Sequence, residues 1–169
     1  GQLAFLRKQK KILPEAIRYG AMLEVPALAE CLDLLAPKLS FLSIGTNDLT
    51  QFLFAADRAN PKLAERYDWL SPAILRFLRR VVNTVAPFGT DVTVCGEMGG
   101  RRLEALALLG LGITRLSITP AAVGPVKELV RKVDVNEIRA AMAGWLSEPP
   151  QDLRSAIAEW ASSRGIECD

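Results

Sequence analysis

The chain contains no histidine. That absence excludes Ser-His nucleophilic catalysis, imidazole metal ligands and a phosphohistidine within these residues. Cysteine is scarce as well: Cys31, Cys95 and Cys168 are odd in number, widely spaced, and form no CxxC pair. A disulfide framework or a zinc site is therefore not expected. Charge of one sign is also lacking, with 21 Lys and Arg against 19 Asp and Glu and a net charge of +2. Beyond the short cluster Lys8, Lys10 and Lys11 there is no basic run, so neither a nucleic acid nor a membrane surface is expected as a partner. No apolar stretch reaches the roughly 20 residues that span a bilayer. Gly1 to Ile12 lacks the long apolar core of a secretion signal, and the expected location is cytoplasmic.

What remains is globular composition: 169 residues, 50% hydrophobic and 24% charged, enough for one hydrophobic core. Short apolar runs ending in Gly-rich or polar turns alternate with longer stretches of helical period, the α/β pattern. Strands are predicted over Arg18 to Leu23, Phe41 to Ile44, Asp91 to Val94 and Ile113 to Ile118. Pro26 to Ala36 places Leu28, Cys31, Leu32 and Leu35 on one helical face, and Pro72 to Val85 does so with Leu75, Leu78, Val82 and Val85. Ser71-Pro72 and Thr119-Pro120 are helix-start pairs, and Gly89, Gly110 and Gly112 are stop signals. After about Lys132 the strands cease. Asp134 and Glu137 form a possible capping box, and Leu153, Ala156, Ile157, Trp160 and Ala161 make a stripe that must pack on the body or on a second subunit.

The stretch FLSIGTNDLTQF, Phe41 to Phe52, breaks an apolar strand with four small polar residues. Enzymes built on parallel strands carry their chemistry at the carboxyl ends of those strands. Three polar groups stand there: Glu24 after the first predicted strand, Asn47 and Asp48 after the second, and Cys95 with Glu97 after the third. Each has a plainer reading. Glu24 and Asp48 could be helix-start carboxylates, Gly45 to Asp48 an ordinary turn, and Cys95 an inert buried thiol. Gly96, Gly99 and Gly100 beside that thiol, however, suit close backbone approach to a ligand more than packing.

Two carboxylates from adjacent strands, without His or Cys beside them, form a donor set for a hard cation, and magnesium fits best. Such an ion can spread the charge of an enolate. The long segment QFLFAADRANPKLAERYDWLSP exceeds a simple connection. Within it Arg58 reads either as a bidentate phosphate clamp or as a surface ion pair with Asp57 or Glu65.

GAMLEVPAL, FLSIGTNDLTQFLFAADRANP, LSPAILRFLRR and CGEMGG, in this order and spacing, closely resemble the phosphoenolpyruvate-binding barrel of enzyme I of the bacterial phosphotransferase system. The detail is most like the nitrogen-related form of this phosphoenolpyruvate-protein phosphotransferase. The resemblance runs from about Gly20 to Lys132. It implies that the four strands are the second half of a (β/α)8 TIM-type barrel, whose whole needs about 250 residues, with C-terminal helices appended. The division expected is residues 1–133 for the half-barrel and 134–169 for a helical extension. The resemblance also implies Glu24 and Asp48 as magnesium ligands, Asn47 and Arg58 as residues holding phosphoenolpyruvate, and Cys95 as the acid that protonates the enolate carbon to give pyruvate. An ordinary thiol, with pKa about 8.5, carries the required proton at neutrality. The phosphoryl group would pass to a histidine of an upstream domain and then to a small phosphocarrier protein of the HPr type. A fragment without histidine would then be inactive alone, and the barrel would make it a homodimer. Two other readings are a pyruvate phosphate dikinase or phosphoenolpyruvate synthase barrel, and a non-catalytic dimerisation or binding module. One departure stands out: the family often reads Ala-Gly-Asp after the methionine of CGEM, where this chain has Gly99-Gly100-Arg101.

Overall fold

The computed structural model describes residues 1–64 and 67–168. Four strands, β1 (Gly20–Leu23), β2 (Phe41–Gly45), β3 (Asp91–Cys95) and β4 (Leu116–Ser117), form an all-parallel sheet in chain order. The register sets Leu23 beside Ile44, Ile44 beside Val94 and Val94 beside Leu116. Strand side chains alternate between faces, so this face is aliphatic, and Leu23, Leu42, Ile44 and Val94 are fully buried. On the opposite face Met22 lies beside Ser43, Ser43 beside Thr93, Gly45 beside Cys95 and Cys95 beside Ser117. Met22 is half exposed there, and among the described residues no comparable apolar layer covers this face.

Helices account for the cover of the first face. They are α1 (Gln2–Lys8), α2 (Pro26–Ala29), α3 (Leu32–Leu35), α4 (Thr46–Phe54), α5 (Pro61–Ala64), α6 (Pro72–Val85), α7 (Arg102–Gly110), α8 (Pro120–Lys132), α9 (Val135–Ser147) and α10 (Leu153–Ser162). Leu32 of α3, Leu75 and Leu78 of α6, and Leu106 and Leu108 of α7 join the sheet in one core. Each such side chain contributes roughly 1.5–3 kcal/mol by burial. Leu103 to Gly110 of α7 are buried on every side, because α8, α9 and α10 all pack against that helix. Leu153, Ile157 and Ala161 of the C-terminal stripe therefore face the body of this same chain. Among the described residues no helix is long and apolar enough to cross a membrane.

Several local predictions are revised by the structure. Pro26 to Ala36 is not one helix: the backbone leaves helical geometry at Cys31, which is exposed. A short segment nucleates poorly and packing decides its path, and here the break lets Leu32 and Ala36 reach the core. The fourth strand is shorter than Ile113 to Ile118, because the Ile113 amide donates to the Leu108 carbonyl and that of Gly112 to Leu109. These two bonds close α7 in a Schellman motif, so Gly112 is the stop and Gly110 stays helical. On α6 the buried set includes Val81, with Val82 only partly covered. Ser71 caps this helix with its side chain, whereas Thr119 heads α8 without a side-chain bond. Asp134 caps α9 through the Asn136 and Glu137 amides. The return arm of the capping box is missing, since the Glu137 carboxylate accepts from Arg164 at 2.8 Å instead.

Candidate active site

The carboxyl ends of β1, β2 and β3 bring the three polar groups side by side. Gly45 ends β2 and heads α4 directly, so Thr46, Asn47 and Asp48 form the first turn of a helix and not a separate loop. The glycine sits directly beside a side chain that follows the neighbouring strand. A Cβ at Gly45 would stand 2.7 Å from Glu24 Cγ and 2.9 Å from Glu24 Oε1, inside van der Waals contact. Glu24 therefore lies across the end of β2, and a larger residue at position 45 would push its side chain aside.

Gly45 is level with Cys95 on β3. The Cys95 thiol donates to the Ile44 carbonyl at 3.5 Å and accepts from the Ser43 hydroxyl at 3.3 Å. Its side chain is half-buried on the sparsely covered face, with Ser117 as its in-register neighbour on β4 and Ser43, two residues before Gly45 on β2, on the same face. Next to it Gly96 adopts φ +114 and ψ −176, a region open essentially to glycine alone. The turn aims the Glu97 amide at Asn47 Oδ1, 3.3 Å away, while Thr46 Oγ1 donates to the Cys95 carbonyl at 3.2 Å. These two bonds tie the β2 and β3 ends together.

Arg58 Nη2 lies 3.4 Å from Asp48 Oδ1, with both side chains substantially exposed. Among the described residues Arg58 pairs with Asp48 and not with Asp57, which accepts from the Ala59 amide; Glu65 lies outside the described residues. An exposed pair of this kind contributes little stability, ~0–1 kcal/mol, so Arg58 can leave it for an anion without large loss. Its amide donates to Gln51 Oε1 on α4 at 3.2 Å.

A cavity of about 380 Å³ opens beside these strand ends. Asn47, Arg58 and Glu97 line it, together with Tyr67, Asp68, Trp69, Arg101 and Arg154. Glu24, Asp48 and Cys95 are not among its lining residues. A second hollow, about 510 Å³, shares Asn47, Glu97 and Arg101 with the first and reaches Ser117 on β4. Arg154 is held by Asp68 and Glu104, so Arg101 and Arg58, whose contact with Asp48 is exposed, are the guanidinium groups of this wall that suit an anion. Arg101 stacks over Trp69 at 4.8 Å, which gives the residue that departs from the resembled pattern a place in the wall. Sequence reasoning missed Asp68, Trp69 and Arg154 altogether, because their proximity to Asn47 depends on the folded path alone. Among the described residues no group of three or more His, Cys, Asp or Glu is gathered for a metal.

A parallel α/β sheet with acids, an amide and a thiol at its strand ends, beside an arginine-lined cavity, defines an enzyme-like anion site. Comparison with known proteins gives the family. Residues 3–135 match the family described as PEP-utilising enzyme, PEP-binding domain, and the chain belongs to it. It is 44% identical over 124 residues to a phosphoenolpyruvate-protein phosphotransferase of Borreliella burgdorferi, covering 73% of this chain and 22% of that protein. It is 37% identical over 150 residues to a protein named phosphoenolpyruvate-dependent phosphotransferase system from Salmonella typhimurium, covering 88% and 20% respectively. Multiphosphoryl transfer protein 1 of Escherichia coli is 38% identical over 153 residues, covering 90% of this chain and 17% of that protein. The chain thus spans about one fifth of the length of these relatives.

Proposed function

We propose that this chain is the second half of a phosphoenolpyruvate-binding (β/α)8 barrel, residues 1–133, followed by a helical extension, residues 134–169, within a longer cytoplasmic phosphoenolpyruvate-protein phosphotransferase. The observation that carries the reading is the alignment of Glu24, Asn47, Asp48 and Cys95 at adjacent ends of parallel strands in a chain of the PEP-utilising family. The half-barrel part is supported by the sparsely covered sheet face, since all-parallel sheets are ordinarily buried on both sides.

Asn47 and Arg58 hold the phosphoenolpyruvate anion in this reading. The Asn47 carbonyl is fixed by the Glu97 amide, which leaves the amide nitrogen to donate to a ligand oxygen. Arg58 exchanges its exposed contact with Asp48 for the ligand's phosphate or carboxylate. Glu24 and Asp48 fit a magnesium ion by donor chemistry: both offer carboxylate oxygens, and Gly45 leaves Glu24 room at the strand end. That ion, when bound, stabilises negative charge on the ligand oxygens. As the phosphorus–oxygen bond breaks, the phosphoryl group leaves for a histidine nitrogen outside this chain, since none is present here. The remaining enolate takes the Cys95 thiol proton at carbon and becomes pyruvate. The phosphoryl group then passes to a phosphocarrier of the HPr type. Exposed Met22, Val25 and Phe52 are surface that a closed barrel and a homodimer would cover.

The test uses the longer protein with phosphoenolpyruvate and magnesium, read by intact mass and by pyruvate release. Gain of one phosphoryl group with pyruvate, lost in Asp48→Asn and slowed at protonation in Cys95→Ala, is the expected result. A folded wild-type protein that gains no phosphoryl group would leave a non-catalytic binding module as the better description.

A further inference from the structure

Helix α10 lies beyond residues 3–135, the part that the family match covers, yet its Arg154 stands in the wall of the cavity. Arg154 Nε donates to Asp68 Oδ2 at 2.7 Å, and Nη2 donates to Asp68 Oδ1 and to Glu104 Oε1, each at 2.6 Å. The planar fork of arginine suits such a two-pronged grip on a carboxylate. Glu104 belongs to the buried helix α7 and its side chain is only 3% exposed. A carboxylate so buried needs its cation, so the guanidinium is held from the core side. On the other side Asp68 shapes the chain entering α6: Oδ1 accepts from the Leu70 amide and its carbonyl from the Ser71 amide, both at 2.9 Å. The residues flanking Asp68 also meet the site, Tyr67 by stacking on Phe54 and Trp69 by lying beneath Arg101.

We propose that Arg154 is a positioning residue through which the C-terminal helix pins segment 67–70 to α7, and so fixes the cavity wall facing Arg58 and Asn47 for an anionic ligand. The pinning stands on geometry alone. Its effect on ligand affinity rests on the phosphoenolpyruvate reading. The apolar stripe Leu153, Ile157 and Ala161 docks the tail on the body, and Arg154 then completes a wall of the site from 86 residues away in sequence.

Arg154→Ala alone would leave Glu104 buried without its cation and could unfold the chain. The informative variant is the double replacement Arg154→Met with Glu104→Gln, which removes the grip without stranding the buried charge and leaves only the part-exposed Asp68 unpaired, with Arg154→Lys as the conservative companion. In the double variant, hydrogen exchange at the 67–70 amides is expected to quicken by about tenfold or more while exchange in the α6 core stays unchanged. In the longer protein, KM for phosphoenolpyruvate rises on the order of tenfold with kcat within about threefold, and Arg154→Lys falls between. A purely structural role would lower the melting temperature and leave KM of the folded enzyme alone. A folded double variant with unchanged exchange at 67–70 overturns the pinning, and a loosened segment with unchanged KM overturns its effect on the ligand. Failure of the wild-type protein to bind phosphoenolpyruvate with magnesium, by calorimetry, would instead sink the functional reading and leave the exchange result to decide the pinning.

Discussion

Replacing Gly96 by alanine is the sharpest test of how the β2 and β3 ends are joined. The residue sits at φ +114 and ψ −176, where an L side chain is strained by about 1–3 kcal/mol. The added Cβ would also stand 2.9 Å from Thr46 Oγ1 and 3.0 Å from Asn47 Oδ1. Thr46 is 1% exposed and cannot withdraw without losing its bond to the Cys95 carbonyl. Asn47 can rotate away, but then the Glu97 amide loses its acceptor. Overpacking of this kind typically adds about 1–3 kcal/mol, so the expected total is about 2–6 kcal/mol. Gly89→Ala is the control, because Gly89 is left-handed at φ +65 with nothing within 4 Å of an added Cβ, and its cost should stay near 1–2 kcal/mol. Urea unfolding by linear extrapolation resolves a gap of that size. Adding Thr46→Ala to Gly96→Ala should show a coupling of about 1 kcal/mol, since the deleted hydroxyl is the clashing atom. Equal costs for Gly96→Ala and Gly89→Ala, with no coupling to Thr46, would refute the account of this junction.

Two further outcomes follow from the same structure. Leu78 on α6 is fully buried in the shared core, so Leu78→Ala should cost about 3–5 kcal/mol in urea unfolding without changing any group at the strand ends. At Asp68, burial raises the carboxyl pKa, but the hydrogen bonds from Arg154 and from the Leu70 amide outweigh it, so the net position lies below the ordinary 3.8. A depressed folded pKa contributes stability that is present above the unfolded value and lost as pH falls through the folded one. Fluorescence of Trp69 as sole tryptophan, after replacing Trp145 and Trp160, should therefore be flat at neutral pH and change only below about pH 4. A transition near pH 6 would contradict it.

The parts of the fold that were legible in the sequence are those decided within a few residues. Helix α6 starts at a Ser-Pro pair and keeps its apolar period to Val85, and the strand ends were marked by abrupt turns from aliphatic to polar residues. What escaped was settled at long range or by competition for a backbone group. The Ile113 amide goes to the end of α7, which no strand propensity in Ile113 to Ile118 could foretell. The small residue at Gly45 was visible, but its reason, the Glu24 side chain, comes from another strand. Arg154 had no local signal at all, since a single arginine in a polar helix start looks like any solvated charge. Asp152, which caps α10 through the Ser155 amide, was a local signal and was overlooked.

The sparsely covered face of the sheet bears on what must meet it. Ser43, Thr93, Cys95 and Ser117 lie there in register, small and partly polar, with Met22 and Phe41 as its exposed large apolar groups. At its foot Asp91 pairs with Arg18 and Arg115. A face meant to bury flat against a second copy would carry broad aliphatic side chains, because apolar area removed from water drives such contacts. Small polar side chains at the carboxyl ends instead suit the closed interior of the barrel proposed above, in which further strands of a longer chain would cover this face. The matched part is about one fifth of the length of these relatives, which have ample further chain to supply them. In the proposed longer protein, the segment that supplies those strands should therefore protect the Ser43 and Thr93 face from solvent and raise stability, whereas mixing in more of this chain alone should do neither.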